Sequence, residues 1–310
     1  MAHNTPPPLP LYSENTASVV EEAEVVVLPV PYEKTVTYGQ GTAKGPDAIL
    51  RASAEQETFD PERGVEIART RIFTLPSIDR PSAPPEEMVK SVYQTLTPHV
   101  QKSRFTLTLG GEHTLTLGAV QAHLHSSPKL AIVQIDAHLD LRNRYLERSL
   151  SHATVMRRIF ELPEKPLLIP VGTRSVSLQE SEFIVDNQIA PFWSHQIDSR
   201  NDQWIDQVLE STGDRPIYLT LDIDGLDPSQ APGTGTPEPG GLDYPTLCSL
   251  LDRLGSSGRL RGMDLVEVAP IPGQQVTESL AARLISRVLA ARLPANSDWI
   301  SRLQSCSDGR

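Results

Sequence analysis

A chain of 310 residues, 38% hydrophobic and 22% charged, is long enough to bury a sizeable core. Its 39 acidic against 28 basic residues, a formal net charge of −11, argue against a nucleic-acid partner and suit a small cationic ligand. Only two cysteines occur, Cys248 and Cys306, and nothing resembles a signal peptide or a spanning helix. A disulfide framework is therefore not expected, and a membrane partner neither; a reducing, cytoplasmic compartment is.

Residues 1–22 are Pro-rich and polar and read as an extended arm, and residues 23–310 as one domain, because no linker-like break interrupts them. Val25-Val26-Val27-Leu28-Pro29-Val30 is the first expected strand. A glycine-punctuated loop, 31–45, follows; it lacks a G-x-x-x-x-G-K-[ST] pattern and so offers no phosphate cradle. A helix is expected over 47–53, then irregular chain with one short strand at 71–75. Helical spacing of Val89, Val92, Tyr93 and Leu96 marks a helix over 86–101. Phe105 to Leu109 is a strand that ends at Gly110-Gly111-Glu112-His113, where a helix to about Leu124 begins. The run 130–135 is a buried strand. A polar loop then leads to Ser151-His152-Ala153-Thr154, the start of another helix. Strands at 167–171, 217–221 and 260–266 and helices at 202–209, 244–254 and 277–291 complete the pattern. Strands alternate with helices, and their apolar runs are nearly continuous, as in sheets covered on both faces. The fold class is α/β, a three-layer α/β/α sandwich on a central parallel sheet.

Chemistry concentrates where these strands end. After the strand 130–135 comes Asp136-Ala137-His138-Leu139-Asp140, and side chains at alternate positions of extended chain point to one side. After the strand 217–221 comes Asp222-Ile223-Asp224. His113 and Glu267 stand at two further strand ends. Carboxylates so clustered repel one another and are costly to bury uncompensated, so a pair of divalent cations is the economical explanation. Carboxyl ends of parallel strands are also where ligands bind in open sheets. His123 and His125 do not share a helical face and read as surface residues, as do His3, His99 and His195. Cys248 reads as a core thiol.

Gly110-Gly111-Glu112-His113, Asp136-Ala137-His138-Leu139-Asp140 and Asp222-Ile223-Asp224-Gly225-Leu226-Asp227-Pro228 resemble, in order and spacing, the three signatures of the ureohydrolases, the arginase and agmatinase family. Glu267-Val268-Ala269-Pro270 resembles a fourth block. The segments 38–46, 151–158 and 235–241 look more like agmatinases than arginases. The resemblance implies two Mn2+ ions per subunit and a homo-oligomer, a trimer or hexamer. One ion would be held by His113, Asp136, Asp140 and Asp222, the other by Asp136, His138, Asp222 and Asp224. An oxygen-rich set with one imidazole per ion suits manganese. The first motif usually has Asp and Ser where Glu112 and Thr114 stand, and Ala153 replaces a common glycine; all six ligand positions are filled.

The implied reaction is hydrolysis of the guanidinium group of agmatine to putrescine and urea, a step in polyamine biosynthesis. Two metals about 3.5–4 Å apart ionise water at neutral pH. Asp140 would carry a proton to the leaving amine, Glu267 would pair with the guanidinium, Thr236 would help to position it, and His152 would shuttle protons at the pocket mouth. Arg142 and Arg144 follow the metal stretch, and either would favour a distal carboxylate if it faced the pocket. The same chemistry on 4-guanidinobutyrate, arginine or free guanidine is therefore the alternative reading. Arginine is demoted because the loop 141–151 lacks an Asn-rich pattern. A non-catalytic regulatory family member is the alternative from another class, and the complete ligand set speaks against it.

Overall fold

The computed structural model describes residues 9–12 and 17–307. In chain order these form β1 (Val25–Val30), α1 (Gly45–Ala54), a small hairpin of β2 (Phe59–Asp60) and β3 (Val65–Glu66), β4 (Ile72–Thr74), α2 (Pro85–Gln101), β5 (Phe105–Gly110), α3 (Thr116–Ser126) and β6 (Ala131–Ile135). Then come α4 (Val155–Phe160), β7 (Leu167–Thr173), α5 (Leu178–Asp186), β8 (Phe192–Trp193), α6 (Gln203–Thr212), β9 (Ile217–Asp222), α7 (Tyr244–Ser256), β10 (Leu260–Val266), α8 (Val276–Arg292) and α9 (Ser297–Ser307).

Eight of the strands pair in the order β4-β1-β5-β10-β9-β6-β7-β8, every pairing parallel. Every residue of β1, β5, β6 and β9 is buried, which is why their sequences are largely apolar, with buried polar residues such as Thr106, Gln134 and Thr220 among them. Alternate side chains serve opposite faces. Ala131, Val133 and Ile135 of β6 join one core with α1, α6, α7 and α8, whereas Ile132 joins the other with α2, α3 and α4. The result is the expected α/β/α sandwich.

The strand order gives the site its place. The strands that deliver His113, Asp136, Asp222 and Glu267 are β5, β6, β9 and β10, and these four are contiguous at the centre of the sheet as β5-β10-β9-β6. Parallel pairing then brings their carboxyl ends to a common edge.

Some details differ from the sequence expectation. The helix after β5 begins with a 3-10 turn, His113–Leu115, before α3. The hairpin, α5, β8 and α9 carry too weak a pattern to be expected: β8 is two half-buried residues, and α5 exposes Leu178 and Val185, which blurs its apolar stripe. His123 is not a surface residue. It is buried, its Nε2 2.8 Å from Thr106 Oγ1 and its ring against Tyr218, and burial pushes its pKa down to about 3, so it is neutral. Within the segment expected as an extended arm, Leu11 and Tyr12 are buried, and the Tyr12 hydroxyl lies 2.7 Å from Ser286 Oγ on α8. Residues 1–8 and 13–16 lie outside the described residues.

Gly111 makes the approach of β5 to the loop after β1 possible. A Cβ there would sit 2.0 Å from the Tyr32 carbonyl oxygen, which is backbone and cannot swing away. Gly111→Ala is expected to cost about 3 kcal/mol in urea unfolding. Gly258→Ala has open space and only a left-handed φ of +68° to strain it, and is expected to cost about 1 kcal/mol. Equal midpoints for the two variants would contradict this account of the packing.

Candidate active site

The sequence places two carboxylates and one imidazole after β6, two carboxylates at the end of β9 and one imidazole after β5. The fold brings all six together. His113 Nδ1 lies 3.0 Å from Asp140 Oδ2, 3.2 Å from Asp136 Oδ2 and 3.5 Å from Asp222 Oδ2. His138 Nδ1 lies 3.1 Å from Asp224 Oδ2 and 3.6 Å from Asp136 Oδ1. Asp136 thus stands between two groups, His113-Asp136-Asp140 and Asp136-His138-Asp224, each compact enough to hold a metal ion. Asp222 reaches the first group, and its Oδ1 accepts from Asp224 N–H at 2.9 Å.

The charges are in deficit. Burial pushes the Asp222 carboxyl far above the usual range, helped by Asp224 and Asp136, and pushes Asp140 up to about 7, helped by Asp136. Burial opposes charge on the imidazoles, yet the surrounding carboxylates outweigh it, raising His113 well above its ordinary value and His138 to about 12. Every one of these shifts marks a demand for positive charge. A divalent cation meets that demand more fully than protons.

One atom settles how His113 is aimed. Thr220 donates its hydroxyl hydrogen to Asp264 Oδ1 at 2.6 Å, so it can only accept from His113 Nε2–H, 2.8 Å away. The Nδ1 lone pair is then turned to the carboxylates, where Nδ1 is buried without a hydrogen-bond partner. An unpartnered imidazole nitrogen facing three carboxylates is the donor set of a cation site, and the residues present fit one. Asp264 is fully buried and also accepts from Tyr218 at 2.9 Å. Sequence reasoning missed this pair because Thr220 and Asp264 sit inside strands, with no motif to mark them.

Two site residues carry backbone strain. Asp140 has φ +52° and Glu267 φ +62°, left-handed conformations that non-glycine residues rarely adopt. Glu267 is held there by its N–H to Gly111 O at 2.8 Å and by its Oε1, which accepts from His113 N–H at 2.7 Å. Burial pushes its carboxyl well up. Asp140 O accepts from Arg157 N–H at 3.1 Å. Arg174, also unmarked by the sequence, clamps the chain after β9: its guanidinium donates to Asp224 O at 2.6 Å, Leu226 O at 3.1 Å and Glu238 O at 2.7 Å.

Above the cluster lies a cleft of about 200 Å³. Asp140, Asp222 and Glu267 line it, with Thr236, His152, Arg142 and Glu180 among the other walls. Thr236 Oγ1 donates to Asp224 Oδ2 at 3.2 Å. His152 is half-buried, its ring edge-on to Tyr145, and burial lowers its pKa to about 4, with His113 and His138 adding to the effect. It is therefore neutral near pH 7. Arg142 faces the cleft, its Nε 3.7 Å from Glu180 Oε2, whereas Arg144 is exposed beside Glu147.

Residues 23–291 match the arginase family. The chain belongs to that family. It is accordingly a C–N hydrolase of the ureohydrolase kind, acting on guanidino groups. N(1)-aminopropylagmatine ureohydrolase of Synechocystis sp. is 36% identical over 274 residues, covering 86% of this chain and 89% of that protein. Agmatinase of Bacillus subtilis is 31% identical, covering 87% and 92%. The agmatine ureohydrolase structure from Thermoplasma volcanium superposes with a TM-score of 0.83 at 29% identity, covering 92% of this chain and 94% of that one. Among the described residues of this arginase-family hydrolase no helix is long and apolar enough to cross a membrane.

Arg174→Met keeps the aliphatic bulk but abolishes the carbonyl clamp on the loop that carries Asp224. It is expected to destabilise the protein by about 3 kcal/mol, measured by urea unfolding. A loss within about 0.5 kcal/mol, the range of an ordinary surface substitution, would show that the clamp is energetically idle.

Proposed function

We propose that the cleft hydrolyses the guanidinium group of a linear alkylguanidine, agmatine in the first instance, releasing putrescine and urea, with two manganese ions per subunit as cofactor. The convergence of His113, Asp136, His138, Asp140, Asp222 and Asp224 beneath a carboxylate-lined cleft carries this reading. His113, Asp136, Asp140 and Asp222 would hold one ion, and Asp136, His138, Asp222 and Asp224 the other. Such a pair, when bound, supplies a hydroxide nucleophile at neutral pH and a Lewis acid.

The chain's own groups do the rest. Glu267 has one oxygen committed to His113 N–H, which leaves the other to accept from the guanidinium and set its plane. Thr236, which also lines the cleft, limits how the guanidinium can turn. Asp140 holds a proton beside the reacting carbon and passes it to the departing amine, whose lone pair must be protonated for the C–N bond to break. His152, neutral near pH 7, exchanges protons between the cleft and solvent.

The relatives' names divide between agmatine and N(1)-aminopropylagmatine, which share the guanidinobutyl half and differ in a distal aminopropyl extension. Both present the same guanidinium to Glu267. Arg142 in the cleft wall favours a second reading, a distal carboxylate as in 4-guanidinobutyrate. Its neighbour Glu180 neutralises it and keeps the cationic tail in first place. The reading includes a cytoplasmic homo-oligomer that feeds polyamine biosynthesis.

Urea release by the manganese-loaded protein from agmatine, N(1)-aminopropylagmatine, 4-guanidinobutyrate, arginine and guanidine ranks the substrates. Fastest turnover of one of the first two is expected; fastest turnover of 4-guanidinobutyrate would hand the tail to Arg142. Asp136→Asn is expected to lower urea release by roughly 10³-fold and to lose bound metal by elemental analysis. Wild-type activity in that variant would overturn the two-ion assignment.

A further inference from the structure

Glu112 is a fully buried carboxylate next to the candidate ligand His113, and its hydrogen bonds lead away from that ligand. Its Oε2 accepts the backbone N–H groups of Lys34 and Thr35, both at 2.6 Å. Its Oε1 accepts the hydroxyls of Thr114, at 2.6 Å, and Thr35, at 2.9 Å. Four donors thus converge on one carboxylate, and the loop after β1 is pinned to the start of the turn that carries His113.

Thr35 is the second link. It is 2% exposed, and its Oγ1 lies 3.1 Å from His152 Nδ1 and 3.1 Å from His152 N. A hydroxyl has one hydrogen and two lone pairs, and an ionised carboxylate can only accept. The Thr35 hydrogen therefore goes to Glu112. Toward His152 the hydroxyl has only lone pairs to offer. It accepts the backbone N–H of His152, and it accepts from the ring only if Nδ1 carries the hydrogen.

We propose that Thr35 is a positioning residue for His152: with its hydroxyl hydrogen committed to Glu112, it holds the neutral imidazole in the Nδ1–H tautomer and leaves the Nε2 lone pair to receive a proton at the cleft. The inference rests on His152 being a proton carrier, as set out under Proposed function. Glu112 and Thr114, the two positions at which the first motif departs from the pattern it resembles, are here parts of one hydrogen-bonded unit. Unconstrained, a neutral histidine divides itself between two tautomers, and only one of them can take a proton at a given nitrogen.

The test uses the manganese-loaded full chain and the fastest substrate of the panel above. Thr35→Val keeps the shape and removes the hydroxyl; Thr35→Ser keeps the hydroxyl; Thr35→Ala replaces the valine variant should that fold poorly. His152→Ala is expected to lower kcat by roughly 10²-fold. Thr35→Val is expected to lower kcat roughly tenfold with KM nearly unchanged, and Thr35→Ser to restore it. In the double variant Thr35→Val/His152→Ala, kcat should equal that of His152→Ala alone, because Thr35 then has nothing to act through. Wild-type kcat in Thr35→Val beside a slow His152→Ala would overturn the relay and leave His152 as proton carrier. Losses that multiply in the double variant would also overturn it, by showing that Thr35 acts on the fold and not on the ring. Full kcat in His152→Ala would remove the proton-carrier reading, and the relay with it.

Discussion

The structure is built around one electrostatic problem, the gathering of carboxylates at one buried point. Asp136, Asp140, Asp222 and Asp224 lie within reach of His113 or His138 at 3.0–3.6 Å, and all four are buried. Such a cluster is tolerable only with compensating positive charge. The raised imidazole pKa values and the raised Asp140 and Asp222 carboxyls express that demand. The parallel sheet makes the cluster possible, because only contiguous parallel strands bring so many chain ends to one edge.

Much of the surrounding architecture serves to hold this point still. Asp264 and Thr220 aim one imidazole. Arg174 ties down the carbonyls of the loop after β9. Gln134, inside β6, donates to Asp136 Oδ2 at 2.9 Å and so orients the carboxylate common to both groups. The left-handed backbone at Asp140 and Glu267 costs about 1–3 kcal/mol each, sustained by the sheet and by the hydrogen bonds that lock those residues in place. Strain here purchases geometry: a carboxylate in each case turns from the strand direction into the cleft.

The candidate metal ligands and the cleft walls are joined by direct hydrogen bonds, Glu267 to His113 N–H and Thr236 to Asp224 among them, and Glu112 supplies a further link. It neighbours His113 in the chain, yet its hydrogen bonds run to the loop after β1 and, through Thr35, to His152. Thr35 and Glu112 are far apart in sequence, and nothing in either local stretch signals their partnership.

The sequence by itself determined the α/β class, the main strands and helices, and the six candidate ligands. These are local consequences of apolar runs and of alternating chemistry at strand ends, so they are legible without tertiary information. Only the tertiary structure decided the strand order that makes β5, β10, β9 and β6 neighbours, since pairing among parallel strands depends on crossovers that periodicity does not encode. It also decided that His123 lies in the core, that Arg142 faces the cleft while Arg144 does not, and that Asp264, Thr220, Arg174 and Thr35 support the site. Each of those outcomes depends on which residues meet across long sequence separations. That information resides in packing and hydrogen-bond direction and not in any local pattern.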